Sequence, residues 1–176
     1  MEDKFWKEIV WQQLGATIDM LENAIHACPE KLWSDPSKKP EWIEKDVVGF
    51  WYLVYHTLFW LDFYMSESQE GFHPPAPFTL DEVDPAGLLP DRPYTKDELL
   101  GYLEHGRRKC RARIAGLTDE GARERSKFFG SGEGPFAELI LYNMRHVQHH
   151  TAQLHLILRQ QTDSAPNWVG RTKTPL

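Results

Sequence analysis

Val47 to Met65 reads VVGFWYLVYHTLFWLDFYM, and how this run is read decides the fold. It is long and apolar enough to be tested as a membrane span. Two polar interruptions argue against that. His56 and Asp62 stand inside the run, Glu44, Lys45 and Asp46 stand immediately before it, and no second comparable run exists in the chain. The stretch is expected to be a helix from about Glu41 to Glu67, apolar on most of its circumference and covered on several sides by other helices. Eight aromatic residues lie between Phe50 and Tyr64, so a second copy of the chain is expected to share in covering it, giving a homodimer.

On the amino-terminal side, Trp6, Ile9, Val10, Leu14, Ile18, Leu21 and Ile25 recur at intervals of three and four, which predicts an amphipathic helix over Glu2–His26. Pro29, Pro36 and Pro40 break the period and mark a connection. After the aromatic helix, Gln69 to Pro93 holds Pro74, Pro75, Pro77, Pro85, Pro90 and Pro93, and no helical period survives there. A loop of that length inside a compact domain is either a functional cover or a linker. Packing near the site and shaping its entrance is the expectation carried forward.

Thr95-Lys96-Asp97-Glu98 is a capping box, in which the Thr95 oxygen accepts from the Glu98 amide and the Glu98 carboxylate reaches back to the Thr95 amide. A third helix should begin there and run to about Leu117. Thr118 to Glu133, with Gly121, Gly130 and Gly132, reads as connection without strands, and Pro135 suits the first turn of a last helix reaching about Gln161. The fold class is therefore all-α: a four-helix bundle with a long connection between helices 2 and 3. Residues 1–161 are expected to form one domain, and residues 162–176 an irregular tail that Trp168 pins to the body.

Composition bounds the function. With 176 residues, 41% of them hydrophobic and 26% charged, the chain can bury a full core. A net charge of -6 argues against a nucleic-acid partner. The one basic cluster, Arg107, Arg108, Lys109, Arg111 and Arg113, reads as a solvated helix face, with steering of an anionic substrate as the alternative. Cys28 and Cys110 form no CxxC pair, and Met1-Glu2-Asp3-Lys4 opens no apolar leader, so buried free thiols in a reducing cytoplasm are expected.

The chemistry lies in Arg145-His146-Val147-Gln148-His149-His150-Thr151-Ala152-Gln153-Leu154. At 3.6 residues per turn, His146 and His150 sit one turn apart on a face shared with Leu139, Tyr142, Gln153 and Ile157. An inward pair of imidazoles needs its nitrogens satisfied, and a metal with outer acceptors does this. His56, alone among Tyr52, Leu53, Phe59 and Phe63, is by itself as well explained as a core histidine. A bundle can, however, bring it opposite the pair. His149 is a base, a supporting group or an exposed neighbour. Gln153 either fixes a ligand or packs between helices, and Tyr52 and Tyr142 either donate into a pocket or belong to the core.

The single histidine in the second helix, the late HxxxH followed by a small residue, Gln and an apolar residue, and the Gly-rich approach Gly130-Ser131-Gly132-Glu133-Gly134 together resemble the DinB-like, or YfiT-like, superfamily. The resemblance implies a four-helix bundle holding a divalent metal, zinc or nickel, on His56, His146 and His150. It also implies a homodimer and, for some members, a low-molecular-weight thiol as cosubstrate in transferase or isomerase reactions. A metal-dependent enzyme acting on a small molecule, as thiol-dependent transferase or hydrolase, is the expectation; a non-catalytic metal- or ligand-binding bundle is the alternative.

Overall fold

The computed structural model describes residues 2–35, 49–66, 70–128 and 132–176, with side chains from Phe5 onward. Four long helices carry the architecture: α1 (Glu2–Ala27), α3 (Phe50–Tyr64), α4 (Lys96–Gly116) and α6 (Phe136–Thr162). α1 and α3 each pack on both α4 and α6, the arrangement of a four-helix bundle. In α1 the spacing read from the sequence is realised from Leu14 on, since Leu14, Ile18, Leu21 and Ile25 are all fully buried, whereas Ile9 is exposed.

α3 is buried at every position except the half-buried His56. Its cover comes from this chain. Besides α4 and α6, the loop after it lays Phe72 against Phe59 (5.5 Å between rings), Phe78 against Tyr55 (6.0 Å) and Tyr94 against Tyr55 (5.0 Å). The apolar circumference that prompted the expectation of a second subunit is thus enclosed within one chain. Of the span expected for this helix, 41–48 and Glu67 lie outside the described residues. Among the described residues no helix is long and apolar enough to cross a membrane.

Thr95 caps α4 with the reciprocal bonds its sequence predicts, Glu98 N to Thr95 Oγ1 at 3.2 Å and Thr95 N to Glu98 Oε2 at 2.8 Å. Its basic cluster is not simply a solvated face. Arg107 is buried and pairs with Asp19 and Glu22 of α1 and with Glu104. Lys109 reaches the fully buried Asp62 of α3, to which Tyr102 also donates at 3.2 Å. A charge run on an amphipathic helix splits in this way when the neighbouring helices offer carboxylates.

Two connections depart from expectation. Pro29 opens a short helix α2 (Glu30–Trp33). Between α4 and α6 lie α5 (Asp119–Arg123) and a hairpin of β1 (Arg125–Phe128) and β2 (Gly132–Pro135), where no strand was expected. Four-residue strands, one of them Gly-Glu-Gly-Pro, have too little apolar alternation to register as strands. Residues 129–131, including Gly130 and Ser131 of the Gly-rich approach, lie outside the described residues.

The tail is irregular as expected, but Trp168 does not hold it, being 70% exposed. Its anchor is further on: Thr172 N donates to Gln12 O at 3.1 Å, and Trp11 Nε1 donates to Thr174 O at 2.8 Å. Gly15 makes room for this, because a Cβ there would come within 2.5 Å of Thr172 Cγ2.

Candidate metal centre

Packing of α3 on α6 brings His56 opposite His146 and His150, which lie one helical turn apart on α6. The ring centroids of His56 stand 5.2 Å from His146 and 4.7 Å from His150, and the α6 pair is separated by 4.5 Å. One nitrogen from each ring falls within 4.8 Å of the others, and His56 Nε2 and His146 Nε2 are 3.3 Å apart. Two nitrogens bound at tetrahedral angles to one ion, at about 2.0–2.1 Å each, are separated by about 3.3 Å. Among the described residues, no other group of three His, Cys, Asp or Glu converges in this way.

The outer nitrogens orient two of the rings. His56 Nδ1 lies 2.6 Å from Glu82 Oε2, which also accepts from Trp60 Nε1 at 2.9 Å. Burial works to raise the Glu82 pKa, yet donation from His56, with Tyr52 and Trp60 beside it, outweighs burial and holds the carboxyl below its usual range. An ionised carboxylate only accepts, so Nδ1 of His56 donates to Glu82 and Nε2 is the nitrogen turned to the cluster. His150 does likewise, with Nδ1 donating to Gln153 Oε1 at 2.7 Å. His146 Nδ1 is buried with no hydrogen-bond partner among the described residues.

Glu82 escaped the sequence reading. It sits in a single 3-10 turn, Asp81–Val83, of the proline-rich loop, and only the rule that a ligating imidazole seeks an outer acceptor pointed towards such a residue. The loop therefore packs against the cluster, as expected of it. Glu82 bonds His56 and Trp60 and stands beside Tyr52, three residues spaced by single turns along α3.

Electrostatics keep two of the imidazoles neutral. Burial, then the neighbouring rings of His150 and His56, push His146 down to about 2. Burial, then His56, pushes His150 down to about 4. Neutral imidazoles are the form that binds cations.

The remaining candidates separate by position. Gln153 supports His150, and Tyr52, buried beside Glu82, has its pKa pushed up by burial and by that carboxylate, so it stays a protonated donor. His149 is exposed, its ring 5.0 Å from that of His150, and lies outside the three-histidine cluster. Tyr142 packs edge-on against Tyr64 (5.5 Å) and Phe128 (5.3 Å). It lines, with Arg145, His146, Gln148, His149 and Ala152, a depression of about 480 Å³ beside the cluster. Cys28 and Cys110 are buried free thiols pushed up to about 12 by burial.

A family model described as the DinB superfamily matches residues 13–154. The chain belongs to the DinB superfamily. No match was found among curated proteins or solved structures. The match runs from α1 into α6 and takes in all three cluster histidines, Glu82 and Gln153. For a DinB protein with this cluster, the donor set fits a divalent cation: three convergent imidazoles, two with their outer nitrogens already bonded.

Proposed function

We propose that this DinB protein binds one divalent metal ion, zinc or nickel, through Nε2 of His56, His146 and His150, and acts as a metal-dependent enzyme on a small molecule. The observation carrying the reading is the 3.3 Å approach of His56 Nε2 to His146 Nε2, with His56 turned by Glu82 so that its Nε2 faces its neighbour.

A bound ion held by three neutral ligands has an open position and supplies Lewis acidity, making a water or thiol there acidic near neutral pH. The protein's own work is orientation. Glu82 fixes the tautomer and tilt of His56, and Gln153 does the same for His150. Tyr52 and Trp60 hold Glu82 against α3.

The depression reaching His146 favours an enzyme over a sealed binding site. A thiol-dependent transferase and a hydrolase are the two reaction classes, and a low-molecular-weight thiol is the cosubstrate proposed for the first. The reading takes 1–161 as one bundle domain and places it in a reducing cytoplasm, where Cys28 and Cys110 stay thiols. It includes a homodimer, whose partner would cover the exposed Phe5 and Ile9 of α1 or Leu141 and Leu156 of α6. Sedimentation at micromolar concentration distinguishes dimer from monomer. Elemental analysis of the purified, dialysed protein tests the core of the proposal: about one zinc or nickel per chain supports it, and a metal-free chain that also fails to take up added ion defeats it.

A further inference from the structure

The depression of about 480 Å³ beside the cluster falls in the range of small-ligand sites and shares His146 with it, so a molecule seated there has one end at the histidines. Its described lining is chemically one-sided. Arg145 contributes a positive charge, Gln148 an amide, Tyr142 a phenol and Ala152 a methyl, and no carboxylate is present among the described lining residues. In a chain of net charge -6 this is a local inversion of sign, which concentrates anions at the wall.

Arg145 is also uncommitted. Arg92 is bound to Glu98 and Arg107 to Asp19, Glu22 and Glu104, whereas Arg145 has no ion pair or hydrogen bond among the described residues. It precedes His146 directly in α6, so the same helical turn that aims the imidazole inward sets the guanidinium at the rim. A guanidinium binds a carboxylate with two parallel hydrogen bonds, and one guanidinium in a wall whose other described members are a phenol, an amide, a methyl and the imidazoles of His146 and His149 matches a single negative charge.

We infer that the site selects small organic monocarboxylates, with Arg145 holding the carboxylate while the body of the molecule lies over Tyr142 and Ala152 towards His146. This rests on the proposed metal site only for the chemistry at the far end; the anion preference belongs to the wall. Arg145 is then a specificity-determining residue.

Calorimetric titration of the full chain with benzoate and with benzamide, cobalt-loaded and metal-free, tests this. Benzoate should bind at least about tenfold more tightly than its neutral analogue, the worth of one charge-assisted pair at a partly solvated site. Arg145→Gln should abolish the preference while leaving metal content and benzamide affinity unchanged, and Arg145→Lys should restore part of it. Equal binding of the two probes, no benzoate binding, or a preference surviving in Arg145→Gln overturns the inference. Elemental analysis separates the two readings: an Arg145-dependent preference in a chain that retains no cobalt leaves this inference standing and removes the metal site. Stoichiometric cobalt without a preference does the reverse.

Discussion

The carboxylate of Glu82 stands 2.6 Å from Nδ1 of His56, joining a proline-rich loop to the one half-buried position of an otherwise buried helix. Such carboxylate–histidine contacts fix ring orientation and raise ligand basicity. Glu82→Gln keeps the size of the side chain but removes the charge that sets the tautomer. Metal affinity is expected to fall about 10- to 100-fold, read by competition with a chelator of known strength, while the helical content by circular dichroism stays constant. Unchanged affinity would show that Glu82 anchors the loop and nothing more.

His150 and His149 are adjacent in sequence and opposite in role. His150 is buried with its Nδ1 on Gln153, and His149 is exposed. His150→Ala should therefore lose bound metal on dialysis and any activity with it, yet still fold on its apolar core; His149→Ala should retain the metal. Full metal content in dialysed His150→Ala protein would refute the assignment of ligands.

The low pKa values of His146 and His150 give the metal-free protein a pH-dependent stability. Each folded value lies below the usual 6.5, at about 2 and about 4, so below pH 6.5 the unfolded chain takes up protons that the folded chain refuses. The contribution is fully present above about pH 6.5 and is lost as pH falls towards the folded values, at up to about 1.4 kcal/mol per pH unit for each histidine. Urea midpoints of chelator-treated protein between pH 7 and 5 should fall more steeply than those of a His146→Asn, His150→Asn double variant. Parallel slopes would mean that the two rings do not sit buried and neutral.

Gly15 offers a test of the tail. Replacing an exposed mid-helix Gly by Ala ordinarily stabilises by about 1 kcal/mol. Here the new methyl would meet Thr172 Cγ2 at 2.5 Å, so Gly15→Ala should destabilise instead or loosen the tail to proteases. Combining it with Thr172→Gly, which removes both Cγ2 and the Cβ that would stand 2.9 Å from the new methyl, should recover much of the loss, and additive effects in that double-mutant cycle would rule out the contact.

Much of this was legible in the sequence. α1 is legible in its apolar spacing, α3 in its continuous apolar run, the start of α4 in its capping box, and the α6 histidine pair in its four-residue interval. What was hidden depends on where separate segments meet. Glu82 lies in a stretch without period, Arg107 looked solvated until Asp19 and Glu22 appeared opposite it, and Thr172 carries no mark of docking on Gly15. The hairpin before α6 is too short and Gly-rich for alternation to show. The loop's share in covering α3 is hidden for the same reason, because proline-rich segments give no sign that their Phe72, Phe78 and Tyr94 turn inward.

Asp62 has a second consequence, in the order of synthesis. Its finished partner Lys109 lies 47 residues downstream. Until α4 has been made, α3 is an apolar segment with a carboxylate two residues from its end and none of the side-chain partners, Lys109, His105 and Tyr102, that the fold gives it. Only when α4 arrives does Lys109 neutralise that charge and allow the segment to become interior. Burial of α3 at this carboxylate thus waits on α4, because a buried charge is costly until it is paired.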